Sequence, residues 1–311
     1  MEKLKREIII PDSHDHWLNL KTRDISSTEV SALFGLSKYI TEYELYFRKK
    51  DGIAINIEPA ERMRWGTRLE SAIARGVAED KGWIVRPMKE YIRLTDLRMS
   101  ASFDYCLQSN DGQDFAILEI KNVDGLIYKN EWIEHEDGTF EAPPGIELQV
   151  QMQMLTSGLS IAYIAALIGG NRVCLIQRER DDAICEKLIT ACAIFWERIA
   201  NGIPPPPNFE RDADFISSLY QSVEPGTVMD AYGDHEIEML VKKYKESAEL
   251  AKQYEAQKQA AKAELLMRVG DHEKVKGDGF SISCGIIGPA TVSYERASYR
   301  DFRCFTKKQK E

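Results

Sequence analysis

The segment Phe115–Lys121 reads FAILEIK, which places a carboxylate and an ammonium two residues apart in an apolar run. Side chains alternate between the two faces of a strand, so Glu119 and Lys121 share one face. Apolar residues on both faces predict a strand that is covered on both sides. Because burying an unpaired charge is costly, we expect a nearby group to compensate these two side chains.

Asp104 is the first candidate for such a neighbour. It lies in the predicted strand over residues 100–107, and the turn-forming pair Asp111-Gly112 separates that strand from Phe115–Lys121. Two strands joined by a short turn are predicted to pair as neighbours. Pairing of these strands would bring Asp104 next to Glu119.

Carboxylates that meet in a buried place repel each other, and one takes up a proton unless a cation lies between them. A hard divalent ion resolves this conflict, and Mg²⁺ suits a site with few carboxylates and several waters. Lys121 would add a point charge for a phosphate oxygen or for the attacking water. The three residues Asp104, Glu119 and Lys121 therefore indicate metal-assisted phosphodiester hydrolysis. From these residues alone, a structural ion pair on a sheet face remains an equal alternative.

The Glu-x-Lys spacing by itself carries little information, because the chain contains a second copy. Glu79-Asp80-Lys81 stands in a polar stretch before Gly82, where it predicts a solvated helix end. Only the apolar context of Glu119 and Lys121 distinguishes them from this copy.

Composition limits the class of protein. The chain has 311 residues, of which 43% are hydrophobic and 9% aromatic, as expected for a soluble globular protein. No apolar stretch is long enough for a signal-peptide core or a membrane span, so we expect a cytoplasmic protein in a bacterial or phage-infected cell. The net charge of −9 argues against nonspecific DNA binding over the whole surface, but it permits a local basic groove. Six scattered cysteines without a C-x-x-C pair give no support to a disulfide scaffold or a zinc ribbon.

Periodicity and turn residues predict the elements. Helices are predicted over residues 41–50, 60–79, 146–156, 181–201 and 235–269. Strands are predicted over residues 83–86, 91–94, 100–107, 115–121, 161–168 and 172–178, with a hairpin over 280–293 and a long loop over 130–144. The four prolines Pro204–Pro207 mark the clearest domain boundary. The predicted organisation is a main domain over 1–207, a helical extension over 208–270, and a β-hairpin with a basic tail over 271–311.

Several motifs together resemble a known family. The segment Arg64–Glu70 (RWGTRLE), Asp104 and Glu119-Ile120-Lys121 resemble the YqaJ and lambda exonuclease family of restriction-endonuclease-like PD-(D/E)XK nucleases. Further matching segments lie at residues 25–30, 33–37, 131–132, 149–151, 167–171 and 195–197. The resemblance spans residues 14 to 210. It implies an α/β (α+β) fold with a mixed central sheet flanked by helices.

The resemblance also implies roles for individual residues. The acidic active-site residues would be Glu70, Asp104 and Glu119, with the backbone carbonyl of Ile120 as a further metal ligand. Lys121 would orient or activate water. Gln149 would hold the nucleophile or a phosphate. The implied cofactor is Mg²⁺, for which Mn²⁺ would substitute. Without the resemblance, Glu70 would be interpreted as an ordinary helix carboxylate.

Relatives that degrade one strand from a 5′ end hold its terminal phosphate in a small polar pocket. Here the resemblance implies Lys21 or Arg23, together with Thr28 and Ser102. Lysine stands where arginine is usual, and a guanidinium grips phosphate with two bonds whereas an ammonium does not. Which of the two basic residues serves is therefore open.

The function implied is a Mg²⁺-dependent exonuclease that digests the 5′-ended strand of linear double-stranded DNA and leaves 3′ tails. Such an enzyme would act in phage-type recombination as a homotrimeric ring, with a single-strand annealing protein as its partner. One alternative is a nuclease-fold DNA-binding module without cleavage. Another is a helicase- or CRISPR-associated nuclease with an iron–sulfur cluster, against which the cysteine spacing argues. The role of residues 208–311 is open.

Overall fold

The computed structural model describes residues 4–54, 60–296 and 299–305. The chain divides into two compact units, residues 1–216 and residues 217–311. The predicted domain boundaries at 207 and 270 stay predictions, and the predicted basic tail at Lys307–Lys310 lies outside the described residues.

Helices and strands alternate along the first unit, which also contains a short 3-10 helix at Val30–Phe34. Its helices are α1 (His14–Arg23), α2 (Glu42–Lys50), α3 (Glu61–Lys81), α4 (Gly125–Glu131), α5 (Pro144–Ser157), α6 (Asp182–Asn201) and α7 (Ala213–Leu219), the last of which crosses the boundary between the units. Its strands are β1 (Arg6–Ile9), β2 (Ile25–Ser26), β3 (Ile84–Pro87), β4 (Tyr91–Leu94), β5 (Met99–Ala101), β6 (Tyr105–Gln108), β7 (Asp114–Val123), β8 (Ile133–Glu134), β9 (Phe140–Glu141), β10 (Ile161–Ile168) and β11 (Arg172–Glu179).

The strands of the first unit form one larger and one smaller sheet besides a short hairpin. The five-stranded sheet has the order β11-β10-β7-β6-β3, and the four-stranded sheet has the order β1-β4-β5-β2. Strand β7 runs parallel to β10 and antiparallel to β6, so the central sheet is mixed. The predicted fold class, a mixed central sheet flanked by helices, is confirmed.

Strand β7 is covered on both faces, as its sequence predicts. Ile117 packs in a cluster with Val150 of α5, whereas Leu118 and Ile120 pack in a second cluster with Ile73 of α3. Glu119 and Lys121 share the face of Ile117 because of the two-residue repeat of a strand. Both charged side chains therefore lie on the side of the sheet that α5 covers.

The prediction of a single strand over residues 100–107 is wrong in one respect, because the chain forms two strands there. Strand β5 belongs to the four-stranded sheet and β6 to the five-stranded one. The connection Ser102-Phe103-Asp104 carries the chain from one sheet to the other, with Phe103 buried between them. The predicted pairing across the Asp111-Gly112 turn is confirmed.

The loop predicted over residues 130–144 is also wrong. Helix α4 reaches Glu131, and β8 and β9 then pair as a short antiparallel hairpin. The indole of Trp132 is buried and stacks on Tyr128, with the ring centroids 5.9 Å apart. Trp132 therefore anchors this segment to the core.

The second unit contains the long helix α8 (His235–Val269) at its predicted position. It also contains the hairpin of β12 (Lys274–Gly277) and β13 (Phe280–Ser283), which begins before the predicted range of 280–293. The two-residue connection Asp278-Gly279 joins these strands, and Gly279 adopts a φ of +81°, which glycine tolerates without steric cost. No described helix, in either unit, is both long and apolar enough to span a bilayer.

Candidate active site

The Glu119 carboxylate lies at the centre of a polar cluster in the core of the first unit. Its side chain is 3% exposed. Lys121 Nζ lies 2.5 Å and Gln149 Nε2 lies 2.6 Å from Oε1 of Glu119. Gln153 Nε2 donates to Oε2 at 2.7 Å. Three donors thus fix this carboxylate, and the charge of Lys121 compensates its burial.

Asp104 lies beside this cluster because of the way β6 begins. Pairing of β6 with β7 starts at Tyr105 and Leu118, so β7 extends beyond its neighbour. Ile120 of β7 therefore has no backbone partner on β6, and its N–H instead donates a hydrogen bond to Oδ2 of Asp104 at 2.8 Å. The N–H and C=O of one strand residue point to the same edge, so the Ile120 carbonyl faces the side of Asp104.

Glu70 reaches the same region from helix α3. It lines a depression of about 400 Å³ whose wall also contains Ile120 and Lys121. Glu70 is half-buried, and Gly66, one turn earlier on α3, lines the same depression. The structure therefore brings together Glu70, Asp104, Glu119, Lys121 and Gln149, all of which the sequence nominated.

The charged groups of this cluster shift one another's pKa values. Burial and the neighbouring Glu119 carboxylate raise the pKa of Asp104 well above its usual value. Burial and Glu119 also raise the pKa of Glu70. Burial lowers the pKa of Lys121, but Glu119 and Asp104 outweigh it and raise that pKa overall. The cluster carries more negative charge than Lys121 alone can compensate.

The donor set fits a hard divalent cation. Within residues 4–54, 60–296 and 299–305, no group of three or more His, Cys, Asp or Glu side chains is placed to hold a metal by itself. Mg²⁺, however, is commonly held by one or two carboxylates, with waters and substrate phosphates as its other ligands. Asp104 and Glu119 would supply the carboxylates, and the Ile120 carbonyl would supply a third oxygen. Burial and the neighbouring Glu119 carboxylate raise the pKa of Asp104, and a cation between the two carboxylates would offset their repulsion.

A larger cavity of about 820 Å³ adjoins the depression, since Tyr39 and Met63 line both. Basic side chains of Lys21, Arg48 and Arg68 line this larger cavity. Glu29 and Glu44 also line it, but basic side chains outnumber these two carboxylates, so the cavity is suited to an anionic ligand.

Of the residues predicted to bind a terminal phosphate, Lys21 and Thr28 line this cavity. Lys21 Nζ lies 3.4 Å from Thr28 Oγ1 and 4.6 Å from the centre of the Trp17 ring. Trp17 Nε1 donates to Ser102 Oγ at 2.9 Å, which connects Ser102 to the same group. Arg23 is exposed and does not line the cavity. The structure therefore places Lys21 beside Thr28 in the cavity, connects Ser102 to them only through Trp17, and leaves Arg23 outside the cavity.

A buried ion pair between Glu29 and Lys49 lies next to Lys21. Lys49 Nζ contacts Glu29 Oε2 at 2.8 Å and donates to the backbone carbonyl of Lys21 at 2.6 Å. Burial raises the pKa of Glu29, but Lys49 and Lys21 outweigh it and lower that pKa overall. This pair fixes the end of α1 that carries Lys21. The sequence analysis did not identify it.

Gln153 is the functional-site residue that the sequence analysis missed most directly. It lies one helical turn after Gln149 on α5, and both side chains donate to Glu119. The spacing of four residues between two glutamines was a signal, because it places both on one helix face.

Comparison with known proteins finds a matching family model, a sequence relative and similar solved structures. Residues 16–160 match the family model of the YqaJ-like viral recombinase domain. A Bacillus subtilis (strain 168) relative, called uncharacterized protein YqaJ, is 27% identical over 225 residues, which cover 70% of this chain and 67% of that protein. The alkaline exonuclease LHK-Exo from Laribacter hongkongensis is 20% identical, with a TM-score of 0.49 over 65% of this chain and 99% of that chain. A phage-related exonuclease from Haemophilus somnus 129PT is 12% identical, with a TM-score of 0.42 over 60% and 99%.

Proposed function

Because residues 16–160 match the model of the YqaJ-like viral recombinase domain, we infer that the chain is a nuclease. We propose more specifically a Mg²⁺-dependent exonuclease that digests the 5′-ended strand of linear double-stranded DNA and leaves 3′ tails. The observation that carries this proposal is the convergence of Asp104 and Glu119 beside Lys121, next to a basic cavity.

The polar cluster supplies what phosphodiester hydrolysis requires. A bound Mg²⁺ would polarise the scissile phosphate and offset the charge that develops on it. Asp104, Glu119 and the Ile120 carbonyl would hold the ion. Lys121 would orient the attacking water and stabilise charge on the phosphate oxygens, and Gln149 keeps the Lys121 ammonium in place through a 3.2 Å contact. Glu70 would bind a water or the ion from the opposite wall of the depression.

The adjoining cavity supports digestion from a 5′ end. A terminal phosphate held by Lys21, Thr28 and Ser102 would place the first phosphodiester toward the depression that Glu70 lines. Because an ammonium is a point charge and makes no paired bonds, the hydroxyl groups of Thr28 and Ser102 would supply the directional contacts.

The assembly and partner belong to the same proposal. A homotrimeric ring threaded by DNA would place basic side chains such as Arg68 on its inner surface and acidic ones outside, in agreement with the net charge of −9. An annealing protein would load onto the 3′ tail as it forms. Sedimentation of the chain with and without DNA tests the ring.

Digestion of end-labelled duplexes tests the function. Linear duplexes with a label at either the 5′ or the 3′ end are incubated with the chain and Mg²⁺, with EDTA as the control. We expect mononucleotide release from the 5′ end that requires both Mg²⁺ and a free end, and we expect Mn²⁺ to substitute. Release from the 3′ end first would contradict the polarity.

The same assay separates the proposal from its alternatives. A DNA-binding module without catalysis would retain the duplex in a gel-shift assay and release no nucleotide. A helicase- or CRISPR-associated nuclease would require an iron–sulfur cluster. Four of the six cysteines are buried thiols, and none forms a disulfide. An iron analysis of the purified chain therefore tests that alternative.

A further inference from the structure

The amide of Gln153 lies between the two parts of the site. Its Nε2 donates to Oε2 of Glu119 at 2.7 Å and to the backbone carbonyl of Ser102 at 3.1 Å. The side chain is completely buried. One amide nitrogen has two hydrogens, so both of its donors are used by these two acceptors.

Ser102 continues the connection toward the phosphate pocket. Its hydroxyl accepts a hydrogen bond from Trp17 Nε1 at 2.9 Å, and the ammonium of Lys21 lies over the Trp17 ring. A path of direct contacts therefore joins Lys21 to Glu119 through Gln153. Ser102 and Asp104 both lie in the connection between β5 and β6, so a displacement of Ser102 would also move Asp104.

The amide oxygen of Gln153, unlike its nitrogen, has no hydrogen-bond partner among the described residues. This oxygen, Oε1, is buried. A buried amide oxygen without a partner is costly, so packing alone would favour an apolar residue at this position. Gln151, two residues away on α5, illustrates the ordinary case, because its amide is satisfied at both ends by the Glu179 carbonyl and the Asp181 N–H.

We propose that Gln153 is a positioning residue that couples the phosphate pocket to the carboxylate site. Gln153 fixes Oε2 of Glu119. Because the same amide also binds Ser102, the position of Oε2 depends on whether the pocket holds a terminal phosphate. This inference rests on the proposed function. Loss of a partner that orients a metal-binding side chain typically costs about 10- to 100-fold in metal affinity or activity.

The first test measures metal binding without DNA. Gln153→Met keeps the length of the side chain and removes both donors, and Gln151→Met is the matched control on the same buried helix. Titration calorimetry of the full chain with Mn²⁺ should show affinity about 10- to 100-fold weaker for Gln153→Met than for Gln151→Met. Thermal unfolding followed by circular dichroism checks that both variants fold, and Gln153→Asn, whose amide is too short to reach both acceptors, replaces Gln153→Met if that variant does not.

The second test measures the coupling itself. Initial digestion rates are compared for duplexes with a 5′ phosphate and with a 5′ hydroxyl. The ratio of these rates should fall toward one in Gln153→Met and stay at the wild-type value in Gln151→Met. A Gln153→Met variant that binds Mn²⁺ as tightly as the control, or that keeps the wild-type ratio, would overturn the inference. A wild-type chain that binds Mn²⁺ but digests neither duplex would contradict the proposed function, while the Mn²⁺ comparison would still decide the role of Gln153.

Discussion

The Asp104 carboxylate accepts a hydrogen bond from the backbone N–H of Ile120 at 2.8 Å, where β7 extends past the start of β6. This bond makes the acidic cluster a consequence of sheet geometry. It satisfies a strand N–H that would otherwise be unpaired, and it turns Asp104 toward the face that carries Glu119. The remaining oxygen, Oδ1, takes no hydrogen bond from the part of the chain that the structure describes, so it is available to a ligand.

Lys121→Ala is expected to abolish cleavage while the fold remains intact. The ammonium lies on Glu119 and is the cation of the cluster, so its loss removes charge stabilisation and water orientation. We expect a fall in rate of about 10²- to 10⁴-fold, as for removal of a group that assists proton transfer. Lys81→Ala is the matched control, since Lys81 belongs to the exposed second Glu-x-Lys copy. Normal turnover of Lys121→Ala would contradict the assigned site.

Lys21→Ala is expected to reduce the preference for a 5′ phosphate, because Lys21 lines the basic cavity beside Thr28. Arg23→Ala should leave the preference unchanged, because Arg23 lies outside the cavity. The measurement is the ratio of digestion rates for phosphorylated and hydroxyl-ended duplexes. Loss of the preference in Arg23→Ala alone would assign the phosphate to the guanidinium.

The buried pair of Glu29 and Lys49 is expected to stabilise the first unit. Lys49→Met leaves the Glu29 carboxylate buried without its cation, which should lower the free energy of unfolding by about 3–5 kcal/mol. Chemical denaturation at neutral pH measures this change. A cost no larger than that of an exposed substitution such as Lys50→Met would contradict the role of the pair.

The same pair predicts a pH dependence with a definite sign. The folded-state pKa of Glu29 is lowered from 4.5, so its contribution to stability is present above that value and is lost as the pH falls through the folded pKa. Denaturation of the wild type and of Glu29→Gln at a series of pH values below 4.5 should show a steeper decline for the wild type. Parallel curves would contradict the lowered pKa.

Metal affinity should also fall as the pH is lowered, and it should begin to fall at a higher pH than at an ordinary surface carboxylate site, which is still ionised there. Burial and Glu119 raise the pKa of Asp104, so protons compete with the metal at a higher pH than the usual 3.8. Calorimetry with Mn²⁺ should show weaker binding and greater proton release as the pH is lowered toward the raised pKa. Binding that is independent of pH above 3.8 would contradict the coupling.

Local pattern predicted much of this fold. Helix α8 begins and ends at the predicted residues, and β10 matches its apolar run. The alternation along β7 predicted which face carries Glu119 and Lys121. These elements are set by periodicity and by turn residues within a few positions, which a sequence displays directly.

The errors lie where long-range contacts decide. The break between β5 and β6 depends on which sheet each strand joins, and the residues 100–107 read as one continuous strand. The hydrogen bond from Gln153 to Glu119 could not be predicted from local pattern, because it depends on α5 covering the Glu119 face of β7. The pair of Glu29 and Lys49 joins residues on separate elements, so no local spacing indicates it.

The central claim is that Asp104 and Glu119 capture a divalent cation beside Lys121. Anomalous diffraction from crystals soaked in Mn²⁺ tests it most directly, because the manganese position is seen independently of any activity. We predict a peak within coordination distance of the carboxylates of Asp104 and Glu119 and of the Ile120 carbonyl. A fully occupied manganese elsewhere, or an empty site at saturating Mn²⁺ with these carboxylates unobstructed, would contradict it.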